Sequence, residues 1–401
     1  MKILHIVGGS PNSGAYKGAE ILHNALIELG VKSKFLNDST YIKNENHIIF
    51  LKRNFFQNIL YKINVNIEKI LKTIFLHSPR STFSLCLLGD DITKFEEYKY
   101  ADIIHIHWLG EGFVSLKSLS KINKPVVWTM RDMWPFTGGS HYIMDFEQYE
   151  KSFLSKLIKD YKKKIFKKNF HFVAISNWLK NKASENNVLK DHKIDRIYNN
   201  IDLEKFKQIS KNQASSVLNI NTKKKIILFG ANNPQSKRKG WDIFLETLNL
   251  IDKSKYFILI FGNFWSQKKL DAIGIEYKSM GFVNDYKKLN LVYSISDIYV
   301  SASIQEAFGK TWAESMACKT PVVCFKNTAS AEIIDHKKNG YIVDDLDAQK
   351  LKEGIDWVSE NIRSENSDNY EIRKKILNFD PKNIANKYIN LYSEIIRETS
   401  K

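Results

Sequence analysis

The chain of 401 residues has only three cysteines, Cys86, Cys318 and Cys324. Their spacing does not match that of metal-ligand pairs, and an odd number of thiols cannot all form disulfides. A secreted, disulfide-bonded protein is therefore disfavoured. The sequence predicts a protein of a reducing interior, without a bound metal.

Long apolar runs are also missing from this sequence. No run approaches the roughly 20 residues needed to cross a bilayer. The first residues, Met1 to Gly8, have the pattern of a buried strand rather than of a signal peptide. We therefore expect a cytoplasmic protein, either free or held peripherally at the inner face of the cell membrane.

Acidic residues are too few to balance the basic ones, with 44 against 61 and a net charge of +17. The densest basic segment, Lys151 to Lys168, has eight lysines and only Asp160, with apolar residues at helical spacing. This pattern predicts a helix that contacts anionic lipid headgroups at the membrane surface. The alternative is a helix whose lysines are simply exposed to solvent. Nucleic acid is not expected, because no recognised binding motif accompanies the lysines.

Apolar strands alternate with amphipathic helices along the chain, as in parallel sheets that carry helices on both faces. The predicted strands are 2–7, 103–107, 125–129 and 171–175 in the first half, and 225–230, 256–262, 298–301, 321–325 and 341–343 in the second. The predicted helices are 19–29, 176–185, 241–252, 286–294, 310–318, 347–360 and 383–397.

The alternation restarts after a polar segment, which divides the chain into four parts. Residues 1–207 form one Rossmann-like domain, and the polar residues 208–222 have the composition of a linker. Residues 223–380 form a second Rossmann-like domain. The final segment, 381–401, is expected to be a helix that returns to the first domain.

Two glutamates eight residues apart, Glu306 and Glu314, stand on either side of a predicted strand-to-helix junction. The first lies in the loop at the carboxyl end of a parallel strand, where open α/β sheets bind ligands. The second lies inside the helix, where a solvated surface position is the alternative. Between them, the backbone N–H groups of Phe308, Gly309, Lys310 and Thr311 are suited to a pyrophosphate at a helix N-terminus.

A glycine-rich loop, Gly8 to Gly14, follows the first strand, and Gly18 comes shortly after it. Glycine allows the backbone to approach a ligand closely. The dinucleotide pattern Gly-x-Gly-x-x-Gly is absent, and no convincing acidic ribose ligand follows the second strand. A Rossmann dehydrogenase is therefore disfavoured.

Cations follow the first strand of the second half, where Arg238 and Lys239 precede a helix. Cations at a helix start are slightly unfavourable unless an anion binds there. A phosphate group would be such an anion.

Histidines and aromatic residues gather at two strand ends of the first half. Single histidines at such positions are more often packed structural residues, but a cluster with aromatic rings suits a sugar, whose apolar faces stack on them. The candidate residues on this side are His107, Trp108, Asp132, Trp134, His141 and Tyr142.

Several of these motifs together resemble a known family. Glu306-Ala-Phe-Gly, Glu314-Ser-Met-Ala-Cys-Lys-Thr-Pro-Val-Val, Glu332-Ile-Ile and Asn339-Gly-Tyr-Ile-Val resemble the donor site of family 4 retaining glycosyltransferases. The stretch Asp132-Met-Trp-Pro-Phe-Thr-Gly-Gly resembles a subgroup that builds bacterial surface polysaccharides. The resemblance implies the GT-B fold, in which two Rossmann-like domains face each other across a cleft.

The resemblance also implies roles for single residues. Glu306 contacts the donor hexose and Glu314 the ribose, while Lys239, and less closely Arg238, neutralise the leaving diphosphate. The loop containing Gly14 and Gly18 closes over the donor phosphates and the acceptor. The family needs no side-chain base, because the leaving phosphate takes the acceptor proton.

One position departs from the family pattern, because Arg131 stands where the subgroup has a histidine near the reacting centre. Arginine donates hydrogen bonds but is not a base near neutral pH.

The resulting expectation is a metal- and cofactor-independent hexosyltransferase. Its partners are a nucleotide diphosphate sugar and a glycan or lipid-linked glycan. The alternatives are a nucleotide-sugar epimerase of the same architecture and a glycan-assembly scaffold with impaired catalysis.

Overall fold

A computed structural model describes residues 1–38, 48–50, 54–76, 82–110, 112–167, 169–263, 267–362 and 370–399. The chain divides into two compact units, 1–200 with 381–401 and 201–380. Each is an α/β unit built on one parallel sheet. Among the described residues, no helix is long and apolar enough to span a membrane.

The sheet of the first unit has seven parallel strands in the order β3-β2-β1-β4-β5-β6-β7. They are β1 (Lys2–Val7), β2 (Lys32–Asn37), β3 (Ile48–Phe50), β4 (Ile103–Trp108), β5 (Val126–Met130), β6 (Phe170–Ala174) and β7 (Ile194–Arg196). The central strands are buried because helices cover both faces, which explains their nearly continuous apolar sequences.

The first unit has eight α-helices among the described residues. They are α1 (Gly14–Glu28), α2 (Phe55–Leu76), α3 (Glu96–Tyr100), α4 (Leu116–Ser120), α5 (Glu147–Glu150), α6 (Phe153–Ile165), α7 (Asn177–Ser184) and, from the end of the chain, Pro381–Thr399. This last helix packs on α1 through a core that includes Tyr388 and Tyr392.

The second unit has six parallel strands in the order β10-β9-β8-β11-β12-β13. They are β8 (Lys225–Gly230), β9 (Tyr256–Phe261), β10 (Tyr277–Ser279), β11 (Ile298–Ser301), β12 (Val322–Phe325) and β13 (Gly340–Val343). Its helices are α8 (Lys211–Leu218), α9 (Trp241–Leu250), α10 (Gln267–Ile273), α11 (Tyr286–Ile295), α12 (Lys310–Ala317), α13 (Ser330–Ile333), α14 (Ala348–Asn361) and α15 (Tyr370–Lys374), so that Pro381–Thr399 is α16.

The segment predicted as a linker is not extended. Within residues 208–222, α8 begins after the N-cap Ser210, whose hydroxyl accepts a hydrogen bond from Gln213 N. Helix α8 packs on α11, burying Ala214 and Leu218. The units divide at residue 200 rather than at 207, and α8 belongs to the second unit. Its sequence looked like a linker because only a narrow stripe of the helix is apolar.

Candidate functional site

The carboxylate of Glu306 forms the centre of a charged cluster in the second unit. Its Oε2 atom pairs with Lys239 Nζ and lies 3.5 Å from Arg238 NH1. All three side chains are mostly buried, with 15 to 17% of each exposed. The structure thus brings together predicted residues from two distant parts of the sequence.

Neighbouring strands explain how these residues meet. Strand β8 pairs with β11, so the loops at their carboxyl ends lie side by side. Arg238 NH1 donates to Gln305 O at 2.7 Å, and Ile304 N donates to Arg238 O at 2.8 Å, which ties the two loops together. Gly240 has a φ of +68°, and a Cβ there would lie 1.9 Å from Ala302 O, so glycine is required.

The protonation of Glu306 is set by two opposing effects. Burial raises its pKa, but the charges and hydrogen bonds of Lys239 and Arg238 outweigh burial, and the net pKa is lowered. The cluster therefore contains an ionised carboxylate between two cations at neutral pH. Their net positive charge suits a ligand that carries an anionic group.

Glu314 lies on α12 and is 5% exposed, so it is not a solvated helix position. Its Oε2 atom accepts a hydrogen bond from Tyr293 OH at 3.0 Å, and Oε1 lies 3.7 Å from Lys310 Nζ. Gly309 caps α12 with a φ of +85°. The carboxylate is thus held near the first turn of a helix whose N-terminal N–H groups suit an anion.

Two other predicted donor residues beside α12 have structural contacts. Phe308 is 2% exposed and packs edge-to-face on Phe379, with ring centroids 5.5 Å apart. Thr311 Oγ1 accepts a hydrogen bond from Tyr299 OH at 3.0 Å. These contacts hold Phe308 in the loop and Thr311 in the first turn of α12.

The predicted acceptor-side residues of the first unit form a hydrogen-bonded group. Asp132 Oδ2 lies 2.6 Å from His141 Nδ1 and accepts from Trp108 Nε1 at 3.1 Å. Sequence reasoning missed Ser84, whose hydroxyl lies 3.2 Å from His141 Nε2. Ser84 has no exposed surface, so this Ser–His–Asp arrangement is structural rather than a nucleophile open to solvent.

Trp134 and Tyr142 do not share one environment. Trp134 is 3% exposed and stacks on Trp128, and its Nε1 donates to Ser84 O at 2.7 Å. It is a core residue rather than a platform for a sugar. Tyr142 is half-buried, at the start of the segment that follows His141.

Arg131 directly follows β5 and contacts His107, the other predicted residue of this side. Its NH2 donates to His107 Nδ1 at 3.1 Å, and His107 Nε2 lies 2.9 Å from His5 Nδ1. His5, His105 and His107 have ring nitrogens within 4.8 Å of one another. Hydrogen bonds occupy these nitrogens apart from His5 Nε2, and a guanidinium lies alongside, which disfavours a metal cation.

The two predicted glycines of the first unit differ. Gly14 begins α1 after the N-cap Ser13, and a Cβ there would meet nothing within 4 Å. Gly18 is buried, and a Cβ there would lie 2.8 Å from Arg131 NH1 and 3.0 Å from Asn199 Oδ1. Packing against Arg131 therefore explains Gly18, whereas packing does not explain Gly14.

In helix α6, one lysine of the predicted basic surface does not face solvent. Lys168 lies outside the described residues, and Lys162 is fully buried rather than on the solvated face. Its Nζ donates to Trp134 O at 2.5 Å and Thr137 O at 2.9 Å and lies 3.4 Å from the Trp134 ring centroid. Burial lowers its pKa to about 7.

We predict that Lys162 makes stability rise with pH above neutrality. An unfolded lysine titrates near 10.4, so between pH 7 and that value the unfolded chain binds a proton that native Lys162 has released. The free energy of unfolding should rise by up to about 1.4 kcal/mol per pH unit in this range and be flat below it. Urea unfolding at several pH values should show that Lys162→Met lacks this slope.

Lys156→Met, on the exposed face of α6, is the matched control and should keep the slope. Parallel stability curves for the natural chain and Lys162→Met would contradict this prediction.

Two family patterns match the sequence, and together they extend over most of the chain. The pattern described as "Glycosyltransferase Family 4" matches residues 56–205, and "Glycosyl transferases group 1" matches residues 210–375. An uncharacterised 41.2 kDa protein of the cps region of Klebsiella pneumoniae is 26% identical over 80% of this chain and 87% of its own length.

Solved structures share the whole architecture. Sucrose-phosphate synthase from Thermosynechococcus elongatus aligns with a TM-score of 0.73 and 16% identity, over 99% of this chain and 100% of its own. Anabaena HepE, solved with UDP and glucose, aligns with a TM-score of 0.67 and 16% identity, over 98% and 99%. At these identities the likeness establishes the fold alone.

Proposed function

Because this chain belongs to glycosyltransferase family 4 and has the GT-B fold, we propose that it transfers a hexose from a nucleotide diphosphate sugar to a hydroxyl of a bacterial surface glycan. The acceptor is an intermediate of lipopolysaccharide, O-antigen, capsule or exopolysaccharide. The relative from a cps region supports this setting. HepE, whose structure contains UDP and glucose, supports a nucleotide sugar as the donor.

The pairing of Lys239 with Glu306 carries this proposal. Ionised Glu306 holds the ammonium of Lys239 in place and has a second oxygen for a donor hydroxyl. Lys239 and Arg238 stabilise the negative charge that develops on the leaving diphosphate. The backbone N–H groups at Gly309 and Lys310 bind the pyrophosphate, and Glu314 binds the ribose.

We propose that transfer retains the anomeric configuration and requires no metal. The acceptor hydroxyl attacks from the face of the leaving group, and the departing phosphate takes its proton, so no side-chain base is needed. Lys239 supplies the positive charge that a divalent cation would otherwise provide at the diphosphate.

A panel of nucleotide sugars tests the function. The donor should raise the unfolding temperature of the full chain, since ligands that bind only the folded state stabilise it. It should also be hydrolysed slowly without acceptor, with release of the nucleoside diphosphate. Conversion of the donor to an epimer would favour an epimerase, and binding without any hydrolysis or transfer would favour a scaffold.

We further propose that α6 rests on the cytoplasmic face of the membrane. Phe153, Leu157 and Tyr161 follow one another at four-residue spacing and are 75%, 47% and 40% exposed. Exposed lysines, Lys156 and Lys164, accompany this apolar stripe. An apolar stripe with basic neighbours is the pattern of helices that lie in the headgroup region of anionic bilayers.

We predict that the chain sediments with vesicles containing phosphatidylglycerol but not with phosphatidylcholine alone. Replacing Phe153 and Leu157 by serine should reduce the bound fraction at least about fivefold, because both apolar contacts are lost. Leu250→Ser, a leucine of the second unit that is 42% exposed, is the control. Equal sedimentation of all three proteins would refute the assignment of α6.

A further inference from the structure

Arg131 carries a positive charge that no carboxylate of the described residues pairs with. NH1 donates to Asn199 Oδ1 at 2.5 Å and NH2 to His107 Nδ1 at 3.1 Å, and both partners are uncharged acceptors. Nε is buried without a hydrogen-bond partner in the described part of the chain. Asp132, its neighbour in sequence, is engaged by Trp108, Trp134 and His141.

The histidine beside Arg131 is neutral. A guanidinium only donates, so His107 Nδ1 must accept, and the ring proton of His107 lies on Nε2, which donates to His5 Nδ1. Burial, followed by the neighbouring charges, lowers the pKa of both histidines well below the usual value. The pair thus orients the guanidinium without adding or removing charge.

The guanidinium remains charged at neutral pH, although burial lowers the pKa of Arg131 to about 10. A partly buried cation without a counter-ion is costly, and such groups are usually paired. Two of its five N–H groups are occupied, so one proton on NH1 and one on NH2 are left for a ligand, while Nε is buried. Gly18 packs against NH1, where a Cβ would lie 2.8 Å away, so the glycine gives the guanidinium the room to take this position.

We propose that Arg131 binds an anionic group, a carboxylate or a phosphate, of the glycan substrate that the first unit recognises. This inference rests on the proposed function, since it names the substrate class as a charged glycan. A planar guanidinium matches two oxygens of either group by parallel hydrogen bonds. His107 and Asn199 are positioning residues, because their hydrogen bonds fix the plane of the guanidinium.

The test measures the unfolding temperature of the full chain with inorganic phosphate, D-glucuronate or uncharged D-glucose, at one ionic strength set with potassium chloride. At about ten times the dissociation constant, a bound anion should raise the unfolding temperature by about 3 °C relative to glucose. Arg131→Gln should lose this rise. Arg196→Gln, an exposed arginine of the same unit, should keep it.

The two anions distinguish the source of the charge. If only glucuronate raises the unfolding temperature in a way that depends on Arg131, the bound group is a sugar carboxylate. If only phosphate does so, the bound group is a phosphate. Phosphate also suits the N–H groups at Gly309, so the difference between the natural chain and Arg131→Gln is the measured quantity. No difference between these two proteins with either anion would overturn the proposal.

A second variant gives Arg131 a carboxylate partner from the protein itself. Asn199→Asp has nearly the same shape and would place a carboxylate 2.5 Å from NH1. We expect a higher unfolding temperature without ligand and no anion response, because Arg131 is then already paired. An unchanged anion response in Asn199→Asp would contradict the inference, even if Arg131→Gln folds poorly.

Exchange of the arginine tests the geometry of the contact. Arg131→Lys should weaken anion binding at least about tenfold, because an ammonium lacks the planar fork. Arg131→His should show a large loss of transfer to a charged acceptor; a gain in activity would overturn the proposal. Failure of every nucleotide sugar to bind, with the Arg131 response intact, would refute only the proposed transferase.

Discussion

Glu306→Ala should reduce glycosyl transfer by at least about 1,000-fold, while the chain still folds. Removal of one group that stabilises transition-state charge costs up to about that factor in other enzymes. Here the substitution removes the proposed donor-sugar contact and also releases Lys239, which Glu306 holds by an ion pair. The measurement is the rate of nucleoside diphosphate release with saturating donor and acceptor.

Two further variants separate catalysis from stability. Glu306→Gln keeps the shape of the side chain and removes its charge, so it should lose most activity. Lys239 and Arg238 then lack their counter-ion, so we expect a folded protein with a lower unfolding temperature than the natural chain. Asp344→Ala removes the carboxylate of an exposed ion pair with Lys326 in the same unit and should leave activity unchanged. Near-normal turnover by a folded Glu306→Ala protein would show that the site has been misplaced.

Glu314→Ala should act differently, because the proposed contact of Glu314 is with the ribose, which is remote from the leaving oxygen. We expect weaker nucleotide binding with a smaller change in turnover. Its hydrogen bond with Tyr293 means that some stability is lost as well, since a buried partner is left unsatisfied.

The sequence predicted the continuous apolar strands closely and missed the short or polar ones. Predicted strands 2–7, 225–230 and 298–301 match β1, β8 and β11 residue for residue, because buried parallel strands are continuous apolar runs. Strands β2, β3, β7 and β10 were missed. Of these, β3, β7 and β10 are three residues long, and β2, β7 and β10 contain charged or polar residues that interrupt an apolar run.

The sequence predicted which residues belong to the charged site but not which of them contact each other. Glu306 and Lys239 were each found from a local pattern, yet their pairing depends on β8 lying beside β11, which sequence spacing does not specify. For the same reason the sequence did not indicate His5 and Ser84, whose hydrogen-bond partners are 102 and 57 residues away. Lys162 was misplaced because lysines surround it, so its inward direction follows from packing rather than pattern.

Lys239→Ala should lower turnover by roughly 100-fold, in the range seen when one charge-stabilising donor is removed. The effect should fall mainly on kcat, because the ammonium is needed most when charge develops on the departing phosphate. Lys237→Ala, an exposed lysine of the same loop, is the matched control and should retain full activity.

Chelation of divalent cations completes the test of Lys239. If the lysine and the helix N–H groups neutralise the diphosphate, EDTA should leave the natural enzyme fully active, and added magnesium should not replace the missing ammonium. A strict requirement for a divalent cation would contradict this assignment. Lys239 would then serve to hold Glu306 in position through the ion pair, and the 100-fold loss would have to arise from misplacement of the carboxylate.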